Sequence, residues 1–162
     1  MNKIKATSLI LMLLLATLNI NAINVGCYTD IIKEDGMKKE QIYINAVDSY
    51  IRSLNEKDLE GILELYAEDG TVEDPVGSKV VKGKTALRKF YSGAVTIDLS
   101  LTRTGPVRIA GLEVAFPFQL RMDVEGVKMV TDIIDVFRFD EDGKIISMRA
   151  FWGESNRRKA EE

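Results

Sequence analysis

Hydrophobic positions along this chain keep a helical period in the first half and switch to a strand period in the second. Ile44, Val47, Ile51 and Leu54 recur at three- and four-residue spacing, which predicts an amphipathic helix with Tyr50 beside the stripe. Asn55-Glu56-Lys57 breaks it. Asp58 is placed to cap a second helix with Leu59, Ile62, Leu63 and Tyr66 as its buried face and Asp69-Gly70 as its stop. A short strand from Thr71 to Asp74 ends at Pro75 and Gly77, and Thr85 is placed to cap a third helix with Leu87, Phe90 and Tyr91 inward. From Val95 the pattern alternates. Leu112, Val114, Phe116, Phe118, Leu120 and Met122 interleave with Glu113, Ala115, Pro117, Gln119, Arg121 and Asp123, the mark of a half-buried strand. Glu125-Gly126 turns into a second strand, and Asp140-Glu141-Asp142-Gly143 into a third with Ile146, Met148, Ala150 and Trp152 on one face. Helices first and hairpin-linked strands later predict an α+β fold, with helices packed on one side of a mainly antiparallel sheet.

The second of these strands carries the most informative position. Every second residue from Met129 (Met129, Thr131, Ile133, Asp135, Phe137, Phe139) gives a face whose one charge is the Asp135 carboxyl. A buried carboxylate is costly, so such a group keeps its proton or finds a partner. Asp135 therefore reads either as a core acid satisfied by a hydroxyl or Arg, or as a protonated acid able to donate a hydrogen bond. Asp74, in Thr71-Val72-Glu73-Asp74-Pro75-Val76-Gly77, reads either as a turn acid before proline or as a general base at a pocket rim. Glu73 and Asp132 face away from these two. Tyr50, Tyr66 and Tyr91 fall near inner helix faces, as core aromatics or as phenols aimed into a cavity. Phe116, Phe118, Met148 and Trp152 suit either plain core or the wall of an apolar pocket.

Composition narrows the chemistry. The 162 residues, 46% hydrophobic and 29% charged, suit one globular domain with a sizeable core. A net charge of −3 with scattered basic residues gives no nucleic-acid surface. With no histidine and one cysteine, His/Cys zinc sites, Cys-His nucleophiles and Ser-His-Asp triads are excluded. Acid–base work falls to Asp, Glu, Tyr or Lys. At the start, Lys3, Lys5 and the apolar run Leu9 to Leu18 predict a signal peptide over 1–22, cut after Ala22, and a secreted or periplasmic protein. Membrane attachment would need that segment uncleaved or a lipid on Cys27. Residues 23–38 read as an irregular linker, 39–156 as the domain and 157–162 as a tail.

With these residues in view, the chain resembles the Δ5-3-ketosteroid isomerases of the NTF2-like, SnoaL-like superfamily. The resemblance runs from about Gln41 to Asn156. It rests on Tyr50-Ile51-Arg52-Ser53-Leu54-Asn55, Val72-Glu73-Asp74-Pro75, Ile134-Asp135-Val136-Phe137 and Met148-Arg149-Ala150-Phe151-Trp152, taken in order. It implies a cone-shaped fold, with three N-terminal helices on a curved sheet. It implies a cofactor-independent isomerase needing no metal, with Asp74 as the base and Tyr50 and Asp135 as catalytic hydrogen-bond donors to the substrate oxygen. Tyr66, Tyr91, Phe116, Phe118, Met148 and Trp152 become the substrate-binding set around a small apolar steroid. A homodimer is implied too, and Val130, Ile134 and Val136 on the outer sheet face are compatible with it. The alternatives are a non-catalytic secreted binding module on the same fold, or another small-molecule enzyme of the superfamily.

Overall fold

The computed structural model describes residues 25–160, so the expected signal peptide lies outside the described residues. The described residues fall into two units divided after Met37, and the second starts at Lys38. Helix α1 is continuous over Val25–Asn55. The stretch expected to be an irregular linker is therefore helical from Val25. Its Lys, Glu, Met and Gln residues are good helix formers, no proline interrupts them, and Gly36 alone does not stop the helix.

In the second unit, α2 (Leu59–Glu64) follows α1 after a break at Lys57, whose φ is 59°. Asp58 caps α2 as expected, its carboxyl accepting from the Gly61 amide. Tyr66 belongs not to α2 but to strand β1 (Tyr66–Glu73), which runs straight through the expected stop at Asp69-Gly70. The reason is tertiary. The Ile145 amide donates to the Leu65 carbonyl, and a Cβ on Gly70 would stand 3.0 Å from the Ile145 carbonyl oxygen. Strand β2 (Val81–Lys82) is followed by α3 (Lys84–Ala94), which starts at Gly83 with no side-chain cap. Thr85 lies inside its first turn. Leu87 and Tyr91 are buried as expected.

The remaining strands are β3 (Leu99–Arg103), β4 (Arg108–Ala110), β5 (Glu113–Val124), β6 (Val127–Phe139), β7 (Ile145–Phe151) and β8 (Arg157–Lys159). They form one sheet in the order β2-β1-β7-β6-β5-β3, with β4 on β5 and β8 on β6. Every pairing is antiparallel except β1 with β7. Glu125 and Gly126 both take positive φ, the twist that a two-residue hairpin between β5 and β6 needs. Residues 157–159 are strand, not tail, because β7 covers only the C-terminal half of one β6 edge. β8 pairs with Met129 to Thr131 on the rest.

The inner face of β6 is buried from Thr131 through Ile133, Asp135 and Phe137 to Phe139, as its alternation predicts. On β7 a register irregularity opposite Arg138/Phe139 puts Ile145, not Ile146, into the core. On the outer face Val130 is buried within the chain, whereas the cross-strand pair Ile134 and Phe151 is 49% and 42% exposed.

Candidate active site

Asp135 owes its environment to its register. Its cross-strand neighbours are Phe116 on β5 and Ala150 on β7, neither with a side chain that can answer a carboxyl. It is 1% exposed, and neither carboxyl oxygen has a hydrogen-bond partner among the described residues. Loss of water raises its pKa well above the usual carboxylate range, and the nearby charge of Asp74 adds to that. The neutral acid is the favoured form, and it carries a proton to donate. Asp132, three residues away on the outer face, is the opposite case. Arg158 and then Gln119 bond to it and hold its pKa down.

Asp74 reaches the same place from the other side of the sheet order. It follows β1, which runs parallel to β7 with Glu73 beside Arg149. The Val76 amide donates to the Ala150 carbonyl at 2.8 Å, tying the loop after Asp74 to the residue opposite Asp135. Glu73 is occupied elsewhere. The Gly77 amide and the Arg149 guanidinium bond to it and hold its pKa below the usual value. Asp74 itself is half-buried, and the Trp152 indole N–H donates to its Oδ1 at 2.6 Å. Partial burial raises its pKa, while the indole bond pulls it down.

Tyr50 comes from α1. Its ring stands edge-on to Phe137 at 5.1 Å and to Phe116 at 6.5 Å, so the phenol is fixed by packing on the β5–β6 floor. The Tyr66 and Tyr91 hydroxyls share a hydrogen bond of 2.6 Å. Burial first, then the Asp135 charge, raises the Tyr50 pKa well above that of a free phenol, against a hydrogen-bonding contribution from Tyr91 that lowers it. Tyr66 and Tyr91 are likewise held neutral, mainly by burial.

Tyr50, Asp74 and Asp135 line one hollow of about 100 Å³. Of the residues expected to contact a ligand, Tyr91 and Phe118 also line it. Tyr66, Phe116 and Met148 do not. They are fully buried, and Phe116 and Met148 share the inner sheet face with Phe118 and Ala150, which do line it, so place along the strand and not facing sets them apart. Trp152 reaches the site through Asp74. The wall is completed by aliphatic residues the site prediction did not include, notably Leu54, Ala94, Leu99, Leu101 and Leu120. Asn55 bonds the Leu101 backbone at both its amide and its carbonyl, which pins the end of α1 to β3 beside this wall. No group of three or more His, Cys, Asp or Glu that could hold a metal is found among the described residues. A neutral acid, a neutral phenol and a partly buried carboxylate around an apolar space can abstract a proton while hydrogen-bonding the oxygen that gains charge.

Comparison with known proteins agrees with this reading of the fold. The SnoaL-like domain family matches residues 47–148. A steroid Δ-isomerase of Nocardioides simplex is 39% identical over 107 residues, covering 66% of this chain and 86% of that protein. The epoxide hydrolase LasB of Streptomyces lasalocidi is 29% identical over 122 residues, and the chain spans only 43% of it. Among solved structures, the epoxide hydrolase/cyclase-like enzyme SalBIII, with a role in pyran ring formation in the polyether salinomycin, superposes with a TM-score of 0.70 and 32% identity. That match covers 75% of this chain and 98% of SalBIII. A Mycobacterium tuberculosis protein at 24% identity shares the fold, with a TM-score of 0.67 over 74% of this chain and 96% of its own.

Proposed function

We propose, from the premise that this chain belongs to the SnoaL-like family and has its NTF2-like α+β fold, that it is a steroid Δ-isomerase moving a double bond from Δ5 to Δ4 in a 3-ketosteroid. Ionised Asp74 takes the proton from carbon 4, and the electron pair of that bond passes into a dienolate with negative charge on the 3-oxygen. Tyr50 and neutral Asp135 donate hydrogen bonds to that oxygen from fixed positions, at a place where water does not compete. Asp74 then returns the proton to carbon 6, the double bond settles between carbons 4 and 5, and the carboxylate is regenerated. The reacting ring would sit in the hollow of about 100 Å³.

The observation that carries this reading is the buried, unpartnered Asp135 carboxyl opening with Tyr50 into the hollow that Asp74 rims. A stray buried acid is destabilising, and a hydrogen-bond donor awaiting an oxyanion accounts for it. The name of the Nocardioides relative supports the same reaction. The test is direct. Purified protein given a Δ5-3-ketosteroid should generate the ultraviolet absorbance of the conjugated enone, and a flat trace at high enzyme concentration rejects the assignment.

A second reading draws on the SalBIII match, which covers nearly all of that chain. Neutral Asp135 could protonate an epoxide oxygen while Asp74 deprotonates the attacking hydroxyl. Ring opening of a hydroxy-epoxide with no enone from the steroid would select it. The homodimer implied by the resemblance would cover Ile134 and Phe151, and light scattering checks it.

A further inference from the structure

Behind the rim carboxylate stands a side chain that the isomerase reading does not use. The guanidinium carbon of Arg157, on β8, lies 4.8 Å from the centre of the Trp152 ring. The same indole donates to Asp74 at 2.6 Å. Arg157 is only about one-third exposed, and its main-chain position is fixed by pairing with Thr131 on β6. Its other charged neighbour is Glu154, at 3.6 Å and itself largely in solvent. Three groups from separate elements thus stack in series: a cation on the last strand, an aromatic face, and the carboxylate beyond the ring edge.

We infer that Arg157 is a positioning residue, clamping the Trp152 indole so that its N–H stays on Asp74 and sharpening that N–H as a donor. A cation over an indole face is attracted by the ring's negative quadrupole. It holds the ring plane against rotation and draws electron density from the ring nitrogen. Both effects favour the charged form of the acid that accepts the bond. Arg157 touches no reacting atom, so its action passes entirely through Trp152. The other titratable groups bearing on Asp74 are Asp135 from β6, Tyr50 from α1 and Tyr66 from β1, and none of them contacts Arg157 through any bond in the structure. Arg157 therefore adjusts the rim acid without bonding to Asp135 or Tyr50.

The inference rests on Asp74 and Trp152 being bonded and on the isomerase reading only for its kinetic arm. Trp152 is the sole tryptophan, so an isotope-labelled sample gives one indole N–H resonance. In the wild type that resonance should lie downfield and titrate with Asp74. Asp74→Asn should remove the titration. Arg157→Leu keeps an apolar cover on the ring and should move the resonance upfield with its titration midpoint at higher pH. Arg157→Lys retains the cation and should recover part of both. Below the midpoint, kcat/KM for enone formation should fall about two- to fivefold in Arg157→Leu, with KM nearly constant. An indole resonance and midpoint unchanged in Arg157→Leu would overturn the inference, as would Lys performing no better than Leu. If the resonance responds as expected but no enone forms in any variant, the clamp stands and the isomerase reading falls.

Discussion

At the rim of the hollow, Asp74 sits just beyond the end of β1, half-buried, with an indole N–H aimed at its carboxyl. At the floor, Asp135 sits in mid-strand between Phe116 and Ala150, with nothing to answer it. Loss of water raises both acids. At the rim a donated bond opposes the rise, while at the floor the charge on the rim acid reinforces it. On the proposed reading, the same side chain is thereby suited to be a base in one place and a hydrogen-bond donor in the other. The division of labour follows from register and one neighbour rather than residue type.

The comparison breaks most visibly if the rim acid is removed. Asp74→Asn should lower the rate of enone formation by at least about 10²–10⁴-fold, while steroid binding, read by calorimetry, persists. At the floor, Tyr50→Phe deletes one of two donors to the oxyanion and should cost about 10²–10³-fold in kcat. Asp135→Asn keeps a donor at the same place and should lose less, about tenfold. That variant also sharpens the comparison through stability. A folded-state pKa above the unfolded one means that folding retains a proton, so the contribution of Asp135 is full below the ordinary aspartate pKa and is lost as pH rises toward the raised value. Thermal melts should therefore show the Asn variant gaining on the wild type between pH 5 and pH 8. For the rim, the raised Asp74 pKa places the acid limb of the kcat/KM profile above that of an ordinary aspartate, with rate lost as pH falls through it. The smallest effect belongs to the outlying phenol. Tyr66→Phe removes one partner of the Tyr91 hydroxyl and should cost about 0.5–1.5 kcal/mol in chemical denaturation.

The floor was far more legible in the sequence than the rim. Strict alternation on β5 and β6 fixes which side chains share a face, so the sequence alone places Asp135 among Ile133, Phe137 and Phe139. The α1 stripe did the same for Tyr50. Features that depend on pairing were hidden. Ala67-Glu68-Asp69-Gly70 has no strand character of its own and is carried in β1 as the irregular stretch between two pairings with β7, Tyr66 with Ile145 and Thr71 with Ser147. Ile145 displaces Ile146 from the core because of an irregularity between two strands, which one strand's sequence does not encode. Arg157-Arg158-Lys159 reads as a solvated tail and becomes β8 because β6 has an open edge there. The aliphatic wall from Leu99, Leu101 and Leu120 was invisible for another reason, since a leucine beside a cavity and a leucine in the core leave the same mark.

The single parallel pairing in the sheet also bears on synthesis. In the sheet order β7 lies between β1, which leads into Asp74, and β6, which carries Asp135. A ribosome that has delivered everything up to Phe139 has made both acids and the phenol, yet has no strand with which to bring them together. On the proposed reading, chemistry at this hollow waits until Ile145 to Phe151 takes its place in the sheet, so a nascent chain stalled earlier should be inert.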